Sequence, residues 1–176
     1  MKCVNCKQEG EVLLHSLGKL FCKQCFAEVI EQRVRRLANT NKLFKQGINL
    51  RVKISNSNDK VLYHIINKKF KHIKIMKSLK PSMPQYTLDE LCIKVLKSLL
   101  QSKPLPVLGI SLLESTEESE LKDYAKIEGI NYKPVKRSGT DKSIHSMLLS
   151  IKEEHPNALF NIRKIYRKLG SQRGLK

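Results

Sequence analysis

Two Cys-x-x-Cys pairs near the N-terminus hold four of the five cysteines of this 176-residue chain. Cys3 and Cys6 form the first pair, Cys22 and Cys25 form the second, and fifteen residues separate them. Each pair can hold one side of a tetrahedral ion once the intervening hairpin brings the pairs together. Thiolates suit Zn²⁺, a borderline-soft ion without redox chemistry, so the spacing predicts a closed structural zinc site within residues 1–28. Iron in the same four-cysteine site stays an open alternative.

The fifth cysteine and the N-terminus indicate the class of protein. Cys92 lies in an otherwise apolar helical pattern, which predicts a buried small side chain rather than a catalytic thiol. The N-terminus lacks the apolar segment of a signal peptide, and no apolar run approaches the ~18 residues that span a bilayer. We therefore expect a soluble cytoplasmic protein without membrane contacts, whose cysteines are reduced thiols or metal ligands rather than disulfides.

Strand and helix patterns alternate along the rest of the chain. Residues 50–55 alternate and are rich in β-branched side chains, and a polar turn and an amphipathic helix pattern follow them. Further strand patterns occupy residues 72–76 and 107–110, and Thr87 marks the N-cap of a helix between them. This alternation predicts an α/β fold with a parallel sheet covered by helices. The predicted domains are a zinc-binding module at 1–28, a basic linker helix at 29–47, an α/β domain at 48–170 and a basic tail at 171–176.

A polar turn connects the first of these strands to its helix, where nucleotide enzymes bind phosphate. Its residues are Ser55, Asn56, Ser57, Asn58, Asp59 and Lys60. Phosphate-binding loops use glycine so that backbone N–H groups can approach the pyrophosphate, and this turn contains none. The pattern favours an ordinary strand-to-helix turn over a working nucleotide loop.

Basic charge predicts a polyanionic partner. The chain has a net charge of +18, with nine Lys or Arg against one acid in residues 51–80 and six against none in residues 160–176. Neutralised phosphates give sequence-independent affinity, so we expect contacts with the backbone of a folded RNA; a solvated basic surface is the alternative. The predicted RNA-binding residues are Arg33, Arg35, Arg36, Lys68, Lys69, Lys71, Arg163, Lys164, Arg167 and Lys168. An acidic patch, facing away from RNA or towards a partner, is predicted from Glu114, Glu117, Glu118 and Glu120.

In their order along the chain, these segments resemble the tRNA 2-thiolation PP-loop proteins, the family of TtuA and of the eukaryotic cytoplasmic wobble-uridine thiolation pair. Members begin with a CxxC…CxxC zinc module and an arginine-bearing helix, which residues 26–43 resemble. Their PP-loop, SGGxDS, comes next between strand and helix, and the polar turn in this place keeps only Ser55 and Asp59. The resemblance implies a reduced, Rossmann-like PP-loop domain. Later helices of the family resemble residues 87–100, 117–130 and 143–169.

The departures from the family pattern imply a non-catalytic member, a pseudoenzyme. Both PP-loop glycines are replaced, the last serine is Lys60, and the cysteines that hold an iron–sulfur cluster in active members have no counterparts. Neither ATP nor an iron–sulfur cluster is therefore expected.

The resemblance implies a subunit of a tRNA uridine 2-thiolation complex that supports a catalytically intact PP-loop paralogue, as a heterodimer, and tRNA binding. A ubiquitin-like sulfur carrier is a further candidate partner. The first alternative is a stand-alone zinc-containing RNA-binding protein on a degenerate PP-loop scaffold. The second is a minimal enzyme completed by the cysteines of a partner, which the lost glycines disfavour.

Overall fold

The computed structural model describes residues 1–44, 49–137 and 139–172. None of the helices in these ranges is both long enough and apolar enough to cross a membrane. The elements, in chain order, are β1 (Val12–Leu14), a 3₁₀ turn (His15–Leu17), β2 (Lys19–Phe21), α1 (Lys23–Thr40), β3 (Asn49–Val52), α2 (Ser57–Lys69), β4 (Lys74–Lys77), α3 (Leu88–Leu100), α4 (Glu118–Ile127), α5 (Gly139–Glu154) and α6 (Ala158–Gln172).

The predicted hairpin between the two cysteine pairs is present. Strands β1 and β2 pair in antiparallel fashion, with Val12 opposite Phe21. Gly18 ends the intervening 3₁₀ turn at φ 60°, a left-handed conformation that glycine adopts without the strain of a Cβ atom. Helix α1 then begins directly after Cys22, whose Sγ accepts a hydrogen bond from the backbone N–H of Cys25. The second cysteine pair therefore also caps the helix that follows it.

In the described part of the chain, two parallel strands form the sheet of the α/β region. Strands β3 and β4 pair with Leu50 opposite Ile75, and α2 connects them. The strands predicted at 50–55 and 72–76 are thus confirmed, although β3 is shorter than its pattern. Within the described ranges, only these two strands form the parallel sheet.

The strand predicted at residues 107–110 is wrong. This segment has irregular backbone whose polar groups bind side chains of α6. The N–H of Leu108 donates to Tyr166 Oη at 2.9 Å, and the carbonyl groups of Leu108 and Gly109 accept from Arg167, each at 2.9 Å. Because these side chains satisfy the backbone, the segment needs no neighbouring strand.

The predicted helices of the second half of the chain are present, with somewhat different ends. Thr87 caps α3 in a capping box with Glu90, as its sequence pattern predicts. Helix α4 begins at Glu118, and Gly129 follows its last turn at φ 67°. At that angle glycine again avoids the strain of a Cβ atom, so it ends the helix.

Two clusters of buried apolar side chains form the core. The first joins the hairpin, α1, β3, α2 and α4, and the second joins α3, α5 and α6. Cys3, Cys22 and Cys25 belong to the first cluster together with Phe26 and Ile30. The four-cysteine segment therefore shares its core with the α/β region.

The predicted domain boundaries remain predictions. Helix α1 runs across the boundary placed after residue 28, and α6 continues to Gln172, beyond the start of the predicted tail. Residues 45–48, within the predicted linker, and residues 173–176 lie outside the described part of the chain.

Candidate functional site

The four N-terminal cysteines form a metal-binding site. The Sγ atoms of Cys3, Cys6, Cys22 and Cys25 all lie within 4.8 Å of one another. A tetrahedral Zn²⁺ with Zn–S bonds of about 2.3 Å places its sulfur ligands about 3.8 Å apart. The Sγ atoms of Cys6 and Cys22 are 3.5 Å apart, so this spacing fits a single ion.

The local backbone favours thiolate at Cys3, whereas burial raises the pKa of Cys25. Burial raises the pKa of the Cys3 thiol, but backbone hydrogen bonds from Cys6, Cys22 and Asn5 outweigh it and lower the pKa to about 6. A metal-binding cysteine must lose its proton, so these amides prepare Cys3 for a cation. All four positions of a tetrahedron are filled by protein, which leaves none for a substrate or a reactive water molecule.

The polar turn before α2 is closed by its own side chains. Asn56 is the N-cap, and its Oδ1 accepts from the N–H of Asp59 at 2.9 Å. In return, Asp59 Oδ2 accepts from the N–H of Ser55 at 2.8 Å and from that of Asn56 at 3.2 Å. The Asp59 carboxylate thus occupies two backbone amide groups at the N-terminus of α2, and a helix N-terminus is the end that attracts anions.

A later segment of the chain lies across the start of α2. The N–H of Lys133 donates to Ser57 Oγ at 2.8 Å, and Tyr132 Oη donates to Asn58 Oδ1 at 2.6 Å. Ser57 stands at one of the two positions where the SGGxDS pattern has glycine, which would leave the backbone open. The side chains of Ser57 and its neighbour Asn58 instead anchor residues 132 and 133.

A lysine-lined cavity remains beside the turn. Its volume is about 400 Å³, and Lys60, Lys133 and Lys136 contribute to its lining. Three ammonium groups favour an anion electrostatically, so the site keeps positive charge although two of its amides are occupied.

The predicted acidic surface patch is wrong, because its glutamates are buried. Their exposed fractions are 1% for Glu114, 1% for Glu117, 9% for Glu118 and 5% for Glu120. A buried carboxylate requires a partner, and every one of them has a basic partner from another part of the chain. The pairs are Glu114 with Arg163 and Arg167, Glu117 with Lys152, Glu118 with Arg137, and Glu120 with Arg33.

These ion pairs divide the predicted RNA-binding residues into two groups. Arg33, Arg163 and Arg167 bind the buried glutamates. Lys68 and Lys69 bind Glu31, at 2.8 and 2.6 Å. Arg35, Arg36, Lys71, Lys164 and Lys168 are exposed, as are Lys68 and Lys69, and Lys168 also interacts with a neighbouring group. Contact of either group with RNA stays a prediction.

Nothing local in the sequence indicates the acidic partners or the bases that complete these pairs. Glu31, Arg137 and Lys152 lie 37, 19 and 35 positions from Lys68, Glu118 and Glu117, respectively. Pairing over such separations leaves no local pattern. Only the large excess of bases over acids, 34 against 16, could have suggested that the acids are used internally.

Cys92 is a buried structural side chain, as predicted. It is 0% exposed, and its Sγ lies 3.5 Å from the carbonyl oxygen of Leu159. Burial, reinforced by the charges of Asp89 and Glu117, raises the pKa of this thiol, which keeps it protonated and unreactive.

Comparisons with known proteins give a partial match in sequence and a match in fold. No family model matches the chain. The tRNA-5-methyluridine(54) 2-sulfurtransferase of Thermotoga maritima is 33% identical over 69 residues, or 39% of this chain and 23% of that enzyme. The chain therefore spans about a quarter of the length of this curated relative.

The U34-tRNA thiolase NcsA from Methanococcus maripaludis, solved with its [4Fe-4S] cluster, matches with a TM-score of 0.79 at 15% identity. The match covers 96% of this chain and 87% of that chain. This chain has the fold of the PP-loop tRNA thiolases. The predicted α/β fold, its parallel strands and its N-terminal four-cysteine site are confirmed, and so is the resemblance to this family.

The comparisons lend no support to the expectation that iron–sulfur chemistry is missing, since the thiolase matched in fold carries a cluster. In this chain the four N-terminal cysteines are the ones that lie together, and Cys92 is buried in the second apolar cluster. Any iron-containing group held by cysteines of this chain alone would therefore have to use the N-terminal site.

Proposed function

We propose that this PP-loop protein is a non-catalytic subunit in tRNA uridine 2-thiolation, which supports a catalytically intact paralogue and helps to bind tRNA. The polar turn carries the proposal, because Asn56 and Ser57 stand at the two glycine positions of the family loop and their side chains accept from the N–H groups of Asp59 and Lys133. Activation of a uridine by ATP requires open backbone amides at these positions to bind the pyrophosphate. A thiolase scaffold with this turn is suited to binding and support rather than to adenylation.

The metal site has a structural part in this proposal. Four cysteine ligands leave no open coordination position, so the ion has a structural role. We propose Zn²⁺ as this ion because the sulfur spacing fits a single tetrahedral centre. It would fix the hairpin against α1 and thereby position the arginines of that helix.

Basic surface charge favours a second candidate, a stand-alone RNA-binding protein. Lys71 and Lys164 are exposed and form no ion pair within the described ranges. Their charges are therefore available to phosphates without a protein partner.

The first experiment measures ATP binding by calorimetry, with Mg²⁺ present. We expect no micromolar affinity for the natural protein. A variant with Asn56→Gly and Ser57→Gly restores the two glycines of the family loop and should gain affinity if their loss is the cause. Micromolar ATP binding by the natural protein, or adenylation of tRNA by it, would contradict the non-catalytic assignment.

The second experiment separates the two candidates. The tagged protein is recovered from its native cells, and the bound proteins and RNA are identified by mass spectrometry and sequencing. A co-purified PP-loop paralogue with intact glycines and cysteines supports the subunit role. Recovery of RNA without such a paralogue supports the stand-alone protein instead.

A further inference from the structure

A cleft of about 510 Å³ opens between α1 and α6, away from the polar turn. We name it the α1–α6 cleft. Its volume is within the range of small-molecule and nucleotide pockets. Leu37 and Ile110 contribute apolar surface, and the ring of Phe160 lines it as well. Its basic lining residues are Arg33, Arg36, Arg163 and Arg167.

Positive charge exceeds negative charge in this cleft. Arg33 binds Glu120 at 2.8 Å, and Arg163 and Arg167 share Glu114. Two carboxylates thus face four guanidinium groups. The cleft has an excess charge of about two, which favours an anionic ligand.

Two of the arginines retain most of their donors for such a ligand. Arg36 is exposed and has no hydrogen bond or ion pair to any described residue. Arg163 binds Glu114 through Nε and Nη2, at 3.1 and 2.9 Å, which leaves Nη1. Arg167 uses Nε, Nη1 and Nη2 on protein acceptors, and Arg33 uses Nη1 and Nη2. Arg36 and Arg163 therefore have the most donors left for a phosphate group.

Phe160 supplies a surface for a flat ring. It is partly buried, and the guanidinium of Arg33 lies 5.6 Å from its ring centroid. An aromatic ring bordered by arginines and apolar side chains suits a nucleobase, which stacks on aromatic rings irrespective of its identity. A carboxylate or a sulfate would use the charge but not this apolar surface.

We propose that the α1–α6 cleft binds one unpaired nucleotide of an RNA strand, with its base against Phe160 and its phosphate against Arg36 and Arg163. The inference rests on the RNA-binding part of the proposed function and assigns a place for it. It requires a nucleotide extruded from, or lying outside, a base-paired stem, because a stacked base does not expose its faces.

The test measures fluorescence anisotropy of a short labelled single-stranded RNA, with an RNA duplex of equal charge, a mononucleotide and a polyglutamate peptide as further ligands. Arg36→Ala is compared with Arg35→Ala. Both residues are exposed neighbours on α1 and each variant removes one charge, but only Arg36 lines the cleft. Phe160→Leu removes the stacking surface while retaining an apolar side chain. Thermal unfolding verifies that every variant is folded.

We expect Arg36→Ala to weaken binding of the single strand about tenfold, as for loss of a charge-assisted hydrogen bond. Phe160→Leu should weaken it by at least about fivefold, as for loss of base stacking. Arg35→Ala should change it by at most about twofold, and the duplex should respond equally to both arginine variants.

Equal effects of Arg35→Ala and Arg36→Ala on the single strand would overturn the cleft assignment, while RNA binding and the proposed function would stand. Binding of the mononucleotide or of polyglutamate with the same dependence on Arg36 as the RNA would overturn the RNA assignment. Failure of the natural protein to bind any RNA would overturn the inference and the RNA-binding part of the function. Recovery of the paralogue would still test the subunit role separately.

Discussion

Replacing Glu114 by glutamine tests whether buried ion pairs hold α6 against the rest of the molecule. The Glu114 side chain is 2% exposed and binds Arg163 and Arg167 of that helix. It also accepts from the N–H of Ser111 at 3.1 Å. Glutamine keeps the size and one acceptor oxygen but removes the charge. Two guanidinium groups would then share a partly buried space with a neutral amide.

The expected cost follows from the burial of the three side chains. Loss of one partner of a buried ion pair costs about 3–5 kcal/mol. The side chains of the two arginines are still 25% and 27% exposed, so water can partly solvate their charges. The cost should therefore lie at the lower end of this range, at about 3 kcal/mol. In a domain of this length, 1 kcal/mol shifts the Tm by about 2–4 °C, so a fall of about 6–12 °C is expected.

Asp141→Asn is the matched control, because it removes one carboxylate charge from an exposed pair. Asp141 lies 2.7 Å from Lys97, and both side chains are 39% exposed. Such a pair contributes about 0–1 kcal/mol, so the Tm should change by no more than about 4 °C. Thermal unfolding by circular dichroism and urea titration measure both variants. Equal losses of stability in the two variants would refute the role assigned to Glu114.

Three further predictions concern the metal, a helix cap and acid stability. Cys22→Ser should lower the metal content by mass spectrometry and the amide protection of the hairpin, whereas an unchanged metal content would contradict its assignment as a ligand. Thr87→Ala removes the hydroxyl that accepts from the N–H of Glu90 and should cost about 1 kcal/mol in urea unfolding; a cost near zero would show that the cap is dispensable. Burial raises the pKa of Glu31, but hydrogen bonds from two lysines and a tyrosine outweigh it and hold the pKa below its ordinary value. The stability that these bonds provide is present above the pKa of the unfolded state and is lost as pH falls through the lower pKa of the folded state. Glu31→Gln should therefore reduce the fall in the free energy of unfolding below about pH 4. An unchanged dependence of that free energy on pH would contradict this.

Features with a local signal were predictable from the sequence. Thr87 and Glu90 are three positions apart, and their capping box is present. The two cysteine pairs needed only a hairpin to bring them together, and the residues between them provided one. Each of these predictions depends on neighbours within a few positions or on one turn, so no distant part of the chain can overrule it.

Features that depend on distant partners were not predictable. The apolar residues 107–110 match a buried strand, but Tyr166 and Arg167 bind their backbone instead. The glutamates before α4 match an exposed acidic surface, yet Glu117 is buried beneath Lys152. In both cases the sequence shows the side chains, while their burial is decided by helices that come later in the chain.

The glutamates at 114 and 117 also determine how the molecule should respond to heat. They join the two apolar clusters, since neighbouring leucines pack in the first cluster and the carboxylates bind α5 and α6 of the second. On warming, the hydration of charged groups becomes less favourable, so burying an ion pair costs less, while apolar stabilisation per unit area levels off. The junction between the clusters should therefore strengthen relative to their interiors as temperature rises. Heating should loosen the packing inside each cluster before it separates the two.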